Sequence, residues 1–435
     1  MRASSYADFS LALHRRVSRD RVPVNGTIEV TRRCPLECSH CYNNLPMDDR
    51  AAQRGEMSLD EIRRLLDDIA EAGCLWLLFT GGEIFARRDF LDIYAHAKRC
   101  GFLVTLFTNG TLITPRIADF LVQWRPFAIE ITLYGRTKET YEALTGIPGS
   151  YERCMRGIDL LRKRGLPLKL KTVAVTTNRH EVAAMAEFAR ELGVEFKFDG
   201  MINPRIDCSQ SPLGVRLSPM QVVEMDLESP ERTGEWTRLA REFHGPVHAG
   251  SDEVYHCGGG ISSFAVDPEG KMSICVLSHM ETYDLRRGSF HEGWAGFLRR
   301  VRAKKITRLT KCNACAIKSL CSTCPANGEL DSGDPEAPVD FFCHVAHLRA
   351  HALGYPPLPH GDCDYCPGGR HHAELMREAG ALDALRRSPP RFGGGSIRLL
   401  PVLEGVSRRG SCRGGGCASC GEGHPAPGEM RVGME

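Results

Sequence analysis

No run of the 435-residue sequence is apolar for long enough to cross a bilayer; the longest, CLWLLF at 74–79, falls far short of the roughly 20 residues a helical span needs. Charge of one sign is also missing. Fifty-six Lys and Arg face 54 Asp and Glu, and a formal charge of +2 gives no global pull toward nucleic acid or a membrane surface. A local basic run, Arg286 to Lys311, carries nine Lys or Arg and one Glu and reads as the solvated face of a helix. The opening MRASSYADFSLALHRRVSRDR lacks the apolar core of a secretion signal and reads as a short helix, so the chain is expected to be cytoplasmic. Cysteine, by contrast, is plentiful. Nineteen is an odd count that cannot pair completely, and clustered cysteines in a reducing compartment point to metal or redox chemistry.

The densest cluster is CPLECSHCYNN at 34–44, where Cys34, Cys38 and Cys41 fall within eight positions. Tetrahedral zinc and a cubane iron–sulfur cluster each want four ligands. The next cysteine, Cys74, is far downstream in an apolar run with a structural role. Cys100 and Cys154 also read as buried small apolar residues. A site with three protein ligands and a vacant position is a catalytic arrangement, with zinc as the rival reading.

Around the triplet the sequence alternates apolar runs with amphipathic ones. Strands are expected at 26–30, 74–80, 102–108, 127–133, 168–175 and 194–200, with helical patterns between them, one opening at a Ser58 N-cap with Glu61 in the capping-box position. Six βα repeats imply a parallel sheet or partial (β/α)6 TIM-like barrel with its chemistry at the C-terminal ends of the strands, and the triplet directly follows the first strand. The expected organisation is an N-terminal extension (1–25), the barrel (26–205), a helical linker (206–256), a small cysteine-rich domain with a β-hairpin (257–350), and a Cys/Gly/Pro-rich tail (351–435) that is mobile or metal-binding. The hairpin is FAVDPEGKMSICVL, with Cys275 on its second strand.

Cys-x3-Cys-x2-Cys followed by an aromatic, at the end of the first strand of a βα repeat, resembles the radical S-adenosylmethionine (SAM) superfamily. The resemblance implies a [4Fe–4S] cluster on Cys34, Cys38 and Cys41 whose fourth iron chelates SAM. FTGGE at 79–83 matches the family's Gly-Gly-Glu, so Gly81 and Gly82 would let backbone approach the ligand and Glu83 would meet the methionyl ammonium. Tyr42 would lie near the adenine, and Thr132, ending the fourth strand, near the ribose or carboxylate. Lys169 and Lys171 are further carboxylate partners, while Asn109-Gly110 reads as a turn.

The second half resembles the SPASM extension of that superfamily, which binds two auxiliary [4Fe–4S] clusters. By position, Cys312, Cys315, Cys321 and Cys343 would hold the outer cluster, and Cys257, Cys275 and Cys324 the inner one. Two residues separate Cys321 from Cys324 where the family usually has three, and the cysteine that often precedes the Cys257 position is absent. The inner cluster would therefore have an open iron or borrow Cys208, Asp252 or His256; zinc ribbons are the rival for the whole segment. Cys363-x2-Cys366 and the set Cys412, Cys417 and Cys420 fit zinc, a further cluster or no metal.

The resemblance implies an oxidoreductase that oxidatively modifies a ribosomally made peptide or protein, the auxiliary clusters carrying away the second electron. EIFARRDF and LYGRTKETYEALTGIPGSYERCMRGI look like the peptide-maturase side of the group. Its partners would be that peptide, a separate leader-binding protein, and a flavodoxin or ferredoxin as electron donor. Tailoring of a haem precursor by oxidative decarboxylation is the alternative, and a non-catalytic electron carrier the third reading. No acid–base pair stands out.

Overall fold

The six apolar runs between residues 25 and 200 become strands: β1 (Asn25–Glu29), β2 (Trp76–Thr80), β3 (Leu103–Thr108), β4 (Ala128–Thr132), β5 (Leu168–Val173) and β6 (Phe196–Asp199). A computed structural model describes residues 6–242 and 251–386. The strands pair in parallel and in chain order, each followed by a helix, as expected of an α/β partial barrel. One face of each strand is buried under the helices: Phe79, Leu106, Ile131, Leu170 and Phe198 belong to one apolar core with Leu66, Tyr94 and Leu161. The helix after the triplet spans Leu59–Glu71 and opens with the Ser58–Glu61 capping box. The N-terminal helix, Tyr6–Asp20, lies at the start of β2, where the Trp76 indole donates to the Tyr6 hydroxyl at 2.6 Å and His14 stacks on Trp76.

The hairpin forms from β7 (Ser263–Val266) and β8 (Lys271–Ser273), joined by β9 (Tyr283–Asp284). It does not stand apart. β7 pairs in parallel with β1, Asn25 opposite Ser263 and Ile28 opposite Val266, so the sheet has nine strands in the order β9-β8-β7-β1-β2-β3-β4-β5-β6. Cys275 lies two residues beyond β8, in a bridge with Ser278, and not on the second strand.

Between barrel and hairpin, helices Pro219–Glu228 and Pro230–Glu242 are fastened through Asp226. That buried carboxylate accepts from Arg232 (2.6 and 2.9 Å) and from Arg349 (2.7 and 2.9 Å), the latter on helix Asp340–Leu353. The first part of the segment expected as a tail from residue 351 packs into the core. Leu375 and Leu382 of helix His372–Arg386 are fully buried, and Cys363, Tyr365 and Cys366 join the main core. Cys412, Cys417 and Cys420 lie outside the described residues. Cys74 and Cys154 are buried as expected, whereas Cys100 is half-exposed with its thiol on Asp67 at 3.5 Å. No helix among the described residues is long and apolar enough to cross a membrane.

Candidate active site

The chain leaves β1 and turns back on itself, and a two-residue pairing of Arg33–Cys34 with Leu45–Pro46 closes the loop that carries the triplet. Beneath its entry, Glu56 accepts from Arg33 (2.8 and 3.1 Å) and from Thr31 (2.5 Å). At its far end Arg205 donates to the carbonyls of Cys41 (3.0 Å) and Asn44 (2.8 Å). The three thiols pack with Leu36, Leu144, Val175 and Ile202. Burial, aided by the nearby Glu83 carboxylate, pushes the Cys34 thiol up to about 12; Cys38 and Cys41 rise for the same first reason and through their neighbours' charge. Free thiolates would be poorly tolerated here, whereas thiolates bound to a cationic cluster are neutralised where they form.

The Gly-Gly-Glu turn lies directly on the strand end that feeds Cys34. Gly82 donates to the Thr31 carbonyl at 2.7 Å and Glu83 to that of Arg33 at 3.0 Å. A Cβ on Gly81 would stand 2.2 Å from the Thr31 oxygen, and one on Gly82 2.4 Å from that of Arg32. The crowding that requires glycine is therefore with the cysteine loop's own backbone. Glu83 is buried, capped by the Thr108 hydroxyl (2.7 Å), the Asn109 N–H (2.8 Å) and the Phe85 N–H (3.2 Å), and burial pushes its acid up to about 7. Tyr42 is tied back to Glu29 of β1 at 2.8 Å, and Thr132 ends β4 at the same mouth of the barrel.

Two features go beyond the sequence reading, which singled out Lys171 but neither Glu130, Lys197 nor the Asn109 amide. Asn109, read as a turn residue, does turn the chain, with Gly110 at φ +78°, but its side-chain amide also donates to Cys34 Sγ at 3.5 Å. The concave face of the sheet, opposite the helices, carries charge. Glu130 of β4 meets Lys197 of β6 at 2.9 Å and Lys171 of β5 at 3.4 Å, and the Lys171 ammonium sits over the Phe107 ring. Burial draws Lys171 down to about 7 against the pull of Glu130. Lys169, the other candidate, is taken up by Glu195 at 2.8 Å. Charged residues at alternate positions of buried strands, in AIEIT and LKLKTV, were the available signal.

Two more cysteine sets assemble from the second half of the chain. Cys312, Cys315, Cys321 and Cys343 line one cavity together with Lys311 and Lys318. A hydrogen bond with the Cys343 thiol, helped by the two lysines, draws Cys312 down to about 6, while Cys343 rises in return. Cys257, Cys275 and Cys324 lie close together: burial pushes Cys275 up to about 12 and raises Cys324, and the neighbouring thiols of the set add to both shifts. Of the side chains that were options for completing this set, Asp252 is engaged by Lys305 at 2.7 Å. Cys208 takes a left-handed backbone (φ +65°) and places its thiol on the Glu329 carbonyl at 3.7 Å.

A cysteine triplet at the C-terminal mouth of a parallel barrel, with a Gly-Gly-Glu turn on its shoulder, is the arrangement expected of an iron–sulfur enzyme that cleaves SAM. Residues 28–189 match the Radical SAM superfamily, so the chain carries a radical SAM enzyme domain, whose cofactors are a [4Fe–4S] cluster and SAM. The chain is 28% identical over 325 residues to the AdoMet-dependent heme synthase of Methanosarcina barkeri, covering 70% of this chain and 92% of that protein. It is 23% identical over 354 residues to the PqqA peptide cyclase of Granulibacter bethesdensis, covering 76% and 91%. Among solved structures it resembles Streptococcus suis SuiB bound to the precursor peptide SuiA, with a TM-score of 0.58 at 15% identity over 79% of this chain and 82% of that one.

Proposed function

We propose that this enzyme oxidatively modifies a ribosomally made peptide or protein, using the triplet for radical initiation and the sets Cys257/Cys275/Cys324 and Cys312/Cys315/Cys321/Cys343 as ligands of two auxiliary [4Fe–4S] clusters. The carrying observation is the assembly, in one chain, of a SAM-type thiol triplet and two further thiol sets: a net two-electron oxidation needs an exit for the second electron. When bound, the cluster and SAM supply one-electron cleavage of the sulfonium to a carbon radical that takes hydrogen from the substrate. The residues do the remaining work. Arg205 and the Arg33–Glu56 pair hold the cysteine loop, Asn109 directs an N–H at Cys34, and the glycine turn brings Glu83 beside the triplet. Glu130 between two lysines leaves an excess of positive charge on the concave face, suited to a carboxylate on the substrate. Lys311 and Lys318 offset the negative charge of a four-thiolate cluster.

The peptide reading is supported by the similarity to the PqqA cyclase and to SuiB with its precursor peptide. A second reading, oxidative decarboxylation of a haem precursor, is favoured by the 28% identity to the heme synthase and by the same lysines, which would meet propionates. The test is 5′-deoxyadenosine formation by anaerobically reconstituted, reduced protein, against a Cys34→Ala/Cys38→Ala/Cys41→Ala control, with either a peptide encoded beside the gene or an iron coproporphyrin. Peptide-stimulated turnover with loss of two hydrogens from the peptide is the expected result. Loss of carbon dioxide from the porphyrin instead would establish the second reading. No turnover with full cluster occupancy and either substrate present would sink both.

A further inference from the structure

Beside the outer cysteine set, whose cavity His347 and His360 also line, four metal-binding side chains converge in the C-terminal part of the chain. His347, His360, Cys363 and Cys366 are all buried, none more than 8% exposed, and one ligand atom from each lies within 4.8 Å of all the others. Cys363 Sγ is 3.4 Å from His347 Nε2, Cys366 Sγ is 3.7 Å from the same nitrogen, and Cys366 Sγ is 3.4 Å from His360 Nδ1. Bonds of about 2.0 Å to nitrogen and 2.3 Å to sulfur put tetrahedral ligand atoms roughly 3.3–3.8 Å apart. A cubane, which gives each sulfur its own iron, holds its ligands more widely. The spacing is that of a single ion.

The surroundings fit. His347 Nδ1 lies 2.7 Å from the Cys343 carbonyl, an oxygen that can only accept, so the ring proton belongs on Nδ1 and the Nε2 lone pair faces the two sulfurs. His360 Nδ1 faces the Leu358 carbonyl at 3.0 Å, which by the same argument claims its proton, so this ring would ligate through Nε2; the ring also hydrogen-bonds the Cys315 and Cys363 thiols. Cys363 and Cys366 share a tight turn in which Cys366 donates to the Cys363 carbonyl and Gly369 to that of Cys366 at 2.8 Å. A Cβ on Gly369 would strike the Asp364 oxygen at 2.4 Å, so the turn requires glycine there. Residues 354–371 contain no regular element, yet they join helix Asp340–Leu353 to helix His372–Arg386 deep in the core. Two thiols and two imidazoles are costly to bury without a common partner.

We infer that His347, His360, Cys363 and Cys366 form a closed, structural zinc site that pins the C-terminal helix to the helix carrying Cys343. Four protein ligands leave no open position, which makes the site structural and not catalytic. His347 follows Cys343 by one helical turn, so the zinc site and the outer cysteine set share one backbone segment. Loss of zinc therefore loosens the Cys343 end of the outer set while the distant triplet keeps its metal.

The experiment combines metal analysis with zinc K-edge X-ray absorption on the full chain, purified anaerobically from zinc-supplemented cells. Expected are about one zinc per chain beyond the cluster iron, with two sulfur neighbours at about 2.3 Å and two nitrogen neighbours at about 2.0 Å. Cys363→Ser/Cys366→Ser should lose that zinc, unfold at lower temperature and release part of its iron faster, yet still bind iron at the triplet. If that variant proves insoluble, the absorption spectrum of the unaltered chain decides alone. Absence of zinc, iron in its place, four sulfur neighbours, or zinc retained by a soluble double variant would overturn the assignment. None of these readings depends on the substrate or on radical turnover.

Discussion

At the scale of single residues, Glu83 illustrates how a motif position serves the fold before any ligand arrives. Its carboxylate satisfies the Thr108 hydroxyl and the Asn109 N–H, both buried. Glu83→Ala leaves these donors unpaired and should cost about 1–3 kcal/mol in urea denaturation, while Glu83→Gln keeps an acceptor oxygen and should lose less. The pH dependence has a defined sign. The folded acid is pushed up to about 7 from an ordinary 4.5, so its contribution is fully present below about 4.5 and is lost as pH rises through 7. Unaltered protein should lose stability relative to Glu83→Gln over that window; a constant difference would contradict the assignment. Lys171 titrates in the same range from the other side. Burial draws it down to about 7, so its charge fades above neutrality. If it holds a substrate carboxylate, KM should climb above pH 7, and Lys171→Met should raise KM roughly ten- to a hundredfold and flatten the climb, since a charge-assisted contact is worth about 1.5–3 kcal/mol. An unchanged KM with a lowered kcat would place the lysine elsewhere in the mechanism.

At the scale of elements, much was legible because short-range chemistry writes it. Six strands and the Ser58 cap follow from hydrophobic alternation and helix-start signals, and the cysteine triplet from spacing alone. Contacts between distant elements carry no such local signature. Nothing in the sequence around Asp226 announces that Arg232 and Arg349 will both close on it, nor that Arg349 will also donate to the Leu320 carbonyl at 2.6 Å, next to Cys321, and stack on Trp236. Nor did the Cys363 motif disclose its histidine partners, since His347 is hidden in an ordinary helical pattern. Asp226→Asn strands two buried guanidinium groups against a neutral amide and should cost about 3–5 kcal/mol. Because Arg349 links the helix of Cys343 to the segment of Cys321, iron at the outer set should be released first, seen as loss of one auxiliary signal in electron paramagnetic resonance while the SAM-dependent signal persists.

Across the whole molecule, the decisive pairing is that of β1 with β7, about which periodicity is silent because its strands lie in opposite halves of the chain. An apolar run shows that a strand forms, never which neighbour it takes. The consequence is that barrel and cysteine-rich segment are joined through one continuous sheet. β1 carries the triplet loop at its end, has β2 on one side, and on the other would be an open edge without β7. The seam is also packed: Phe264 is buried, touches Phe290 edge-on, and approaches Gly26 so closely that a Cβ there would stand 2.7 Å from its ring. Residues 1–256 produced alone would expose both the edge and the apolar seat of Phe264, and should aggregate or elute as oligomers in size-exclusion chromatography. Gly26→Val in the full chain should reproduce a milder form, with a lowered unfolding temperature and slower cluster assembly at the triplet. A monomeric 1–256 fragment that binds iron at Cys34, Cys38 and Cys41 and cleaves SAM at the rate of the full chain would show that the seam is dispensable and that the barrel folds without it.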